Sequence, residues 1–200
     1  MTAAGFCALS LVAFGAPAWA GFFADAAFAR SALENNLVGD EKMQSVFAAA
    51  RLMHQSIGFA WGAQIATAMC AVVALGMLQR RAFRSAGEAP AVVCAGLLAS
   101  PFLLDYDLTL MAIPLVWLLG QALRAGFLPF EKALMAGAFL LPLISRVLAG
   151  AVGLPLAPLT IAALFALTMR RALKPAANDE PRVTLDTKAE IGLSLALERW

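Results

Sequence analysis

Three groups of polar side chains could do chemistry in this sequence. They are Lys42, Arg51 and His54 in the segment 39–55, the run Asp105-Tyr106-Asp107, and the isolated Arg146. The cations of the first group could bind a lipid phosphate through charge-assisted hydrogen bonds. The carboxylates of the second could serve a metal, sugar or proton site. Each group also has a purely structural interpretation, so the local pattern must be weighed.

The segment 39–55 has the pattern of an amphipathic helix. We predict that Asp40 caps its N-terminus. One helix face is apolar and consists of Met43, Val46, Phe47 and Ala50. Such a helix would rest at the outer membrane interface, where Lys42 and Arg51 either bind a phosphate or anchor the helix at headgroup level. His54 is either a proton carrier or a solvated surface residue.

The acidic run allows two interpretations. In one, an aspartate caps the helix that begins near Leu108 and satisfies its free N–H groups and positive dipole end. In the other, an irregular backbone after Pro101 brings the two carboxylates together in a site. Arg146 either extends from the outer end of its helix to the headgroups or faces a cavity and binds an anionic lipid.

Soluble nucleotide or zinc chemistry has no candidate residues. The sequence contains no C-x-x-C, G-x-G-x-x-G, P-loop or H-E-x-x-H motif. The three cysteines lie in apolar runs without ligand spacing, and we interpret them as packing residues. The net charge of +2, with no basic run interleaved with aromatics, argues against a nucleic-acid partner. We expect no metal ion and no cofactor.

The elements that position these groups are membrane helices. Hydrophobic residues make up 62% of the chain and charged residues 14%, whereas a soluble domain carries about 25% charged residues. A membrane helix needs about 20 apolar residues, and apolar runs cover 3–20, 57–79, 89–104, 108–123, 133–149 and 159–169. We predict an all-α, polytopic transmembrane helix bundle of five to six spans over residues 1–174. The polar tail, 175–200, has the composition of a disordered segment.

Basic residues give this bundle an orientation, because loops rich in Lys and Arg usually lie in the cytoplasm. Placing the first basic cluster inside also places the others inside. The inner residues are Arg80, Arg81, Arg84, Arg124, Lys132, Arg170, Arg171 and Lys174. The acids that then fall outside are Asp25, Glu34, Asp40, Glu41, Asp105 and Asp107. We therefore expect the tail in the cytoplasm and any chemistry on the outer face.

The first apolar run has two interpretations. Ala18-Trp19-Ala20 resembles a signal-peptidase site. However, no Lys or Arg precedes the apolar core, and the missing positive region favours a retained membrane helix.

Two stretches of the sequence resemble a known family. They are KMQSVFAAAR, residues 42–51, and ASPFLLDYDL, residues 99–108, which contains the pattern SP-x-x-x-x-YDL. Both are similar to the C-terminal half of bacterial membrane glycosyltransferases of family 87, relatives of the mycobacterial polyprenyl-phosphate-mannose-dependent alpha-1,2-mannosyltransferases. The resemblance runs from about Ala18 to Arg171.

The resemblance implies a GT-C fold and a hexosyltransferase of the bacterial cytoplasmic membrane. Such an enzyme takes a sugar from a polyprenyl-phosphate donor on the outer face and passes it to a lipid or glycan acceptor. Lys42 and Arg51 would lie where the donor phosphate docks and would stabilise it as it leaves. Asp105 and Asp107 would rim the cavity, where a carboxylate could take the acceptor proton.

The resemblance assigns no catalytic residue. The family's base is taken to be an aspartate in the first outer loop, before the matched region, and that role does not transfer to Asp25. We therefore expect a truncated or split member that needs an N-terminal half as its partner. The alternative is a non-catalytic polytopic membrane protein, such as a small transporter or an assembly subunit. A transporter would place charges at the midplane in broken helices, whereas the acids here cluster at one face.

Overall fold

The computed structural model describes residues 2–81 and 87–173. The predicted tail, together with Arg84 and Lys174, lies outside the described residues. Within the described ranges the regular elements are helices, and two strand-like residues, Met43 and Leu104, form one isolated antiparallel bridge. The predicted all-α bundle is therefore confirmed.

Seven α-helices and two 3-10 helices follow one another along the described chain. In chain order they are α1 (Thr2–Glu34), the first 3-10 helix (Asp40–Lys42), α2 (Val46–Leu52), α3 (Ile57–Arg81), α4 (Glu88–Ala99), the second 3-10 helix (Asp105–Met111), α5 (Ala112–Ala125), α6 (Glu131–Val152) and α7 (Leu156–Ala172).

Four stretches of helix are long and apolar enough to cross a membrane. They are Ala4–Glu34, Ile57–Arg80, Asp105–Ala125 and Glu131–Val152. The two remaining apolar runs form shorter helices, since α4 has 12 residues and α7 has 17. At 1.5 Å per residue, α4 is only about 18 Å long, less than the ~30 Å hydrocarbon core. The protein is thus a helical membrane protein in which four of the predicted five to six spans have full length.

Helix α4 is short because the chain leaves it before a proline. Ser100 is extended, with φ −76° and ψ 120°, as the clash with the following Pro101 ring favours. The Gln44 N–H then donates to the Leu103 carbonyl over 2.7 Å, beside the bridge between Met43 and Leu104. The run 89–104 is therefore helix up to Ala99 and a turn followed by extended chain after it.

The core lies around α4, which contacts α3, α5 and α7. Its buried side chains are small or aliphatic and include Ala91, Cys94, Leu97 and Leu98. Small residues allow helices to approach closely where lipid supplies no hydrophobic driving force between them. The central α4 therefore positions its neighbours on several sides.

Helix α1 joins the bundle only at its last turns. Leu33 is buried, and the Glu34 carboxylate accepts hydrogen bonds of 2.8 Å from the Trp61 indole and the Arg30 guanidinium. The rest of α1 exposes apolar side chains along its length. Gly15, with φ 78° and ψ 169°, interrupts the helix two residues before Pro17. The Ala18-Trp19-Ala20 run lies inside α1, which as a whole needs lipid to cover it.

A buried glutamine ties three helices together. Gln64 of α3 is 2% exposed. Its Oε1 accepts from the Phe47 N–H over 3.0 Å, and its Nε2 donates to the Leu98 and Ala99 carbonyls over 3.0 and 3.1 Å. An amide buried without partners would cost several kcal/mol, so α2, α3 and the end of α4 are held in one arrangement.

A buried ion pair holds the opposite end of the bundle. The Arg171 Nε donates to Glu131 Oε1 over 3.0 Å, and its Nη2 bonds both Glu131 Oε2 and the Gly126 carbonyl. Glu131 also accepts from the Leu128 N–H over 2.6 Å. Both charged side chains are nearly inaccessible. The end of α7, the start of α6 and the connection 126–130 are thereby joined.

Replacing Gln64 with leucine tests the buried amide. Gln64→Leu leaves the Phe47 N–H and two carbonyls without their partner, and an unsatisfied buried group costs about 1–3 kcal/mol. We expect a loss of that size in the free energy of unfolding in detergent. Gln79→Leu, at an exposed position of the same helix, is the control and should change it little. Equal losses in the two variants would contradict the role given to Gln64.

Replacing Arg171 tests the buried ion pair. Arg171→Met leaves the Glu131 carboxylate buried without its countercharge, which costs about 3–5 kcal/mol. Adding Glu131→Gln removes that charge, so the double variant should recover much of the lost stability. Thermal unfolding of both variants measures the effect. A double variant no more stable than Arg171→Met would refute this account.

Candidate functional site

The described polar residues separate to the two ends of the bundle. We call one the polar end, formed by the first 3-10 helix, α2, the second 3-10 helix and the last turns of α6, which contacts both 3-10 helices. We call the other the basic end. It consists of the ends of α3, α5 and α7 with the start of α6, and its cations include Arg80, Arg124, Lys132, Arg170 and Arg171. The predicted site residues all lie at the polar end.

The predicted single helix over 39–55 is wrong. A 3-10 helix at Asp40–Lys42 is followed by extended residues and then by the short helix α2. Asp40 does not cap it. The cap is Ser45, whose side chain accepts from the Ala48 N–H over 3.1 Å. The reason is the bridge to Leu104, which lies between α4 and the second 3-10 helix: Met43 is extended, and the Gln44 N–H bonds the Leu103 carbonyl.

The predicted apolar face exists, but it packs on protein. Met43, Phe47 and Ala50 are buried, and the Phe47 ring lies 4.9 Å from the Trp61 ring of α3. Such tilted aromatic pairs add to the free energy of burial. The apolar face of this segment therefore packs on α3 and does not lie on lipid.

The acidic run forms a cap, as one of its two interpretations predicts. Asp107 Oδ2 accepts from the Leu104 N–H over 2.9 Å, and Asp105 Oδ1 accepts from the Tyr106 N–H over 3.0 Å. The helix begins as a 3-10 helix at Asp105, three residues before Leu108. Tyr106 itself is exposed. The two carboxylates thus stabilise the start of this element, each by accepting from a different backbone N–H.

Arg146 is paired with the acidic run. Its Nη1 lies 3.7 Å from Asp105 Oδ2, and both side chains are partly exposed. An exposed pair of this length contributes little stability. Its effect is to hold the guanidinium over the second 3-10 helix, so the prediction that Arg146 simply extends to the headgroups is incomplete.

The three basic side chains of the segment 39–55 lie in different environments. The Arg51 Nη1 donates to the Gln55 carbonyl over 2.7 Å, which folds the half-buried guanidinium over the end of α2. His54 is exposed in the same turn, with a left-handed φ of 57°. Lys42 is half-buried in the first 3-10 helix. Of these three, Arg51 is the one anchored next to a cavity.

That cavity is an apolar groove of about 640 Å³ between α2, α3 and α7. We call it the α2–α7 groove. Its lining includes Met53, Gln55, Phe59, Thr67, Pro155 and Leu159. Binding sites for apolar ligands have this composition, with few polar groups among many apolar ones. Arg51 does not itself line the groove, but its guanidinium is hydrogen-bonded to the main-chain carbonyl of Gln55, which does.

A second cavity contains the Asp107 carboxylate. It has a volume of about 340 Å³ and lies between α4 and the second 3-10 helix. We call it the Asp107 groove; Ser100 and Leu97 also line it. Leu98 faces the α2–α7 groove instead. The structure thus places Arg51 and Asp107 beside two different grooves, separated by the end of α4.

Sequence reasoning did not predict the α2–α7 groove, whose polar members Gln55 and Thr67 belong to no motif. At the Asp107 groove it named Asp107 but not Ser100, although Ser100 belongs to the SP-x-x-x-x-YDL pattern. The nearest signal was Pro155 with Pro158, which marks the break before α7 but does not indicate a cavity. Within the described ranges, no three His, Cys, Asp or Glu side chains are grouped so that they could hold a metal ion.

The pKa of Asp40 is raised above its ordinary value of 3.8, chiefly because burial disfavours the charged form. The positive charge of Arg51 opposes this shift, and the negative charge of Glu41 adds to it. Asp40 and Arg51 are therefore electrostatic neighbours at the polar end.

No model of a known family, no curated protein and no solved structure matches this chain. The helical membrane fold stands on the structure itself. The GT-C likeness and the transferase activity rest on the two stretches of sequence that resemble family 87.

The raised pKa of Asp40 predicts a pH dependence of stability. A proton is held more tightly in the folded state than in the unfolded state, so this contribution is complete below the unfolded pKa and is lost as pH rises through the folded pKa. Asp40→Asn cannot ionise. It should therefore raise the unfolding temperature at neutral pH, with a gain that shrinks as the pH falls through the raised folded pKa and is gone below the unfolded pKa of about 4. Asp25→Asn, at an exposed position of α1, is the control, and an equal gain there would contradict the prediction.

Proposed function

We propose that this chain is a membrane hexosyltransferase, or the part of one that binds the donor, and that its donor is a polyprenyl-phosphate sugar. The observation that carries the proposal is the apolar α2–α7 groove together with the hydrogen bond of Arg51 to Gln55, a residue of its lining. A polyprenyl phosphate has the matching chemistry, a long apolar chain that ends in an anion. In this proposal the polar end faces the outside of a bacterial cytoplasmic membrane, since the basic end carries the Lys and Arg residues.

The arginine can bind a phosphate without giving up its anchor. A guanidinium has five N–H donors in a planar fork, and one of its nitrogens, Nη1, donates to the Gln55 carbonyl. The remaining donors can form a bidentate pair with phosphate oxygens. Such a pair would strengthen as the phosphate gains charge on leaving the sugar.

The Asp107 carboxylate is better placed to bind the acceptor than to act as the base in the sugar transfer. Asp107 uses Oδ2 for the Leu104 N–H, and within the described residues no donor to Oδ1 is found. A sugar or lipid hydroxyl entering the Asp107 groove could donate to that oxygen. However, the end of α4 separates it from the donor groove, so we assign Asp107 to acceptor binding. The base then lies elsewhere, as the resemblance to family 87 implies.

A non-catalytic assembly subunit is the second candidate, and α1 is the feature that favours it. This helix exposes apolar side chains over most of its length and touches the bundle only near Leu33. A second membrane protein could cover α1. The described acids of the bundle, by contrast, lie at its two ends and give no support to a small transporter, which would want charges near the midplane.

Sugar transfer by membranes that contain the chain tests the proposal. We expect turnover of a polyprenyl-phosphate hexose when the chain is expressed together with the N-terminal region of a family 87 enzyme. Arg51→Ala should raise the KM for the donor about tenfold or more, as expected for losing a bond worth about 1.5–3 kcal/mol, and Arg51→Lys should restore part of it.

Two further variants locate the site. Asp107→Asn should raise the KM for the acceptor and leave that for the donor unchanged. Arg30→Gln, which also removes a cation near the polar end, is the matched control and should leave turnover unchanged. Full activity in both Arg51→Ala and Asp107→Asn would show that the site is wrong. If membranes that contain the folded chain show no turnover, with or without the added region, the chain is not a hexosyltransferase or part of one.

A further inference from the structure

The basic end carries a set of cations that the proposed transferase does not use. Arg124 ends α5, Lys132 begins α6 and Arg170 ends α7, and all three are exposed. Arg171 differs, since it is buried with Glu131 and the Gly126 carbonyl. A role for the three exposed cations must therefore be sought outside the bundle core.

The buried ion pair brings these cations to one place. Arg171 joins α7 to the connection 126–130 and to the start of α6. Arg124 lies two residues before Gly126, Lys132 follows Glu131, and Arg170 precedes Arg171. The backbone of each exposed cation is consequently within two residues of a group that takes part in the contact between Arg171, Glu131 and the Gly126 carbonyl.

The acids at this end form no ion pair with the three cations. Within the described residues the acids here are Glu131 and Glu88. Glu131 is bound by Arg171 and is fully buried. Glu88 accepts a hydrogen bond from the neutral amide of Gln79 and keeps its negative charge, so three exposed cations stand against one partly exposed carboxylate. The exposed surface around the connection 126–130 is thus positive, and an anion is the partner that its charge complements.

Two aromatic side chains accompany the cations. Phe127 lies under the Lys132 ammonium, 4.7 Å from ring centroid to Nζ. Phe130 is 88% exposed and has a left-handed φ of 62°, a conformation that few bulky residues adopt. The apolar rings of phenylalanines at a membrane interface enter the boundary between headgroups and acyl chains, which places the neighbouring cations at headgroup level.

We propose that the basic end binds the phosphate of an anionic phospholipid between Arg124, Lys132 and Arg170, with Phe127 and Phe130 inserted among the headgroups. Basic pockets between membrane helices bind such headgroups. This inference is independent of the transferase proposal, because it concerns the opposite end of the bundle and a lipid that is not a substrate.

Lipid retention on the purified full chain tests this site. Native mass spectrometry from mild detergent measures the binding of phosphatidylglycerol and of phosphatidylcholine, added separately. The wild-type chain should retain phosphatidylglycerol in preference. The triple variant Arg124→Gln, Lys132→Gln and Arg170→Gln should lose about tenfold or more of that preference, since each cation near a lipid surface contributes to binding.

Two controls separate charge at this site from charge in general. Arg30→Gln removes a cation near the polar end and should keep the preference, and Arg124→Lys with Arg170→Lys keeps the charges and should keep it too. A wild-type chain that binds the two lipids equally overturns the proposal whether or not any variant folds. A folded triple variant with undiminished preference also overturns it.

Discussion

The side chain of Gln64 is the interaction on which the polar end depends. It is one amide in an apolar interior, and it bonds one N–H in the first turn of α2, that of Phe47, together with the last two carbonyls of α4. Helix termini leave such groups without partners in their own helix, and in a membrane water does not replace them. The segment 39–55, the two grooves and the acidic run are all positioned by the helices that meet at this residue.

The bundle has a chemical division between its ends. At the basic end the main interaction is a buried ion pair, in which Glu131 and Arg171 neutralise each other's charge. At the polar end the interactions are partial: Asp105 and Arg146 are 3.7 Å apart, and Arg51 is held by a backbone carbonyl instead of an acid. The buried ion pair lies at one end of the bundle. At the other end lie charged side chains that still have hydrogen-bond donors or acceptors available for a ligand.

Much of this architecture can be predicted from the sequence, because its main signals are local. Apolar runs predict the helices, Pro101 predicts the end of α4, and the grouping of acids and cations predicts the two ends. The failures are all tertiary. Asp40 looks like a cap until the pairing of Met43 with Leu104, 61 positions apart by number, straightens the chain. The grooves and the Gln64 contacts likewise join elements distant in sequence, and no periodicity within one segment encodes them.

The shortness of α4 has a consequence for the interior of the bundle. A 12-residue helix falls about 12 Å short of the ~30 Å hydrocarbon thickness, yet a strongly polar turn with two carboxylates follows it almost at once. Because α4 is surrounded by other helices, this irregular chain at membrane depth is covered by protein or by a water-filled cavity and not by lipid. The protein would thus hold a depression at Asp105 and Asp107, where a water-soluble hydroxyl and a lipid-soluble chain could meet at the same depth.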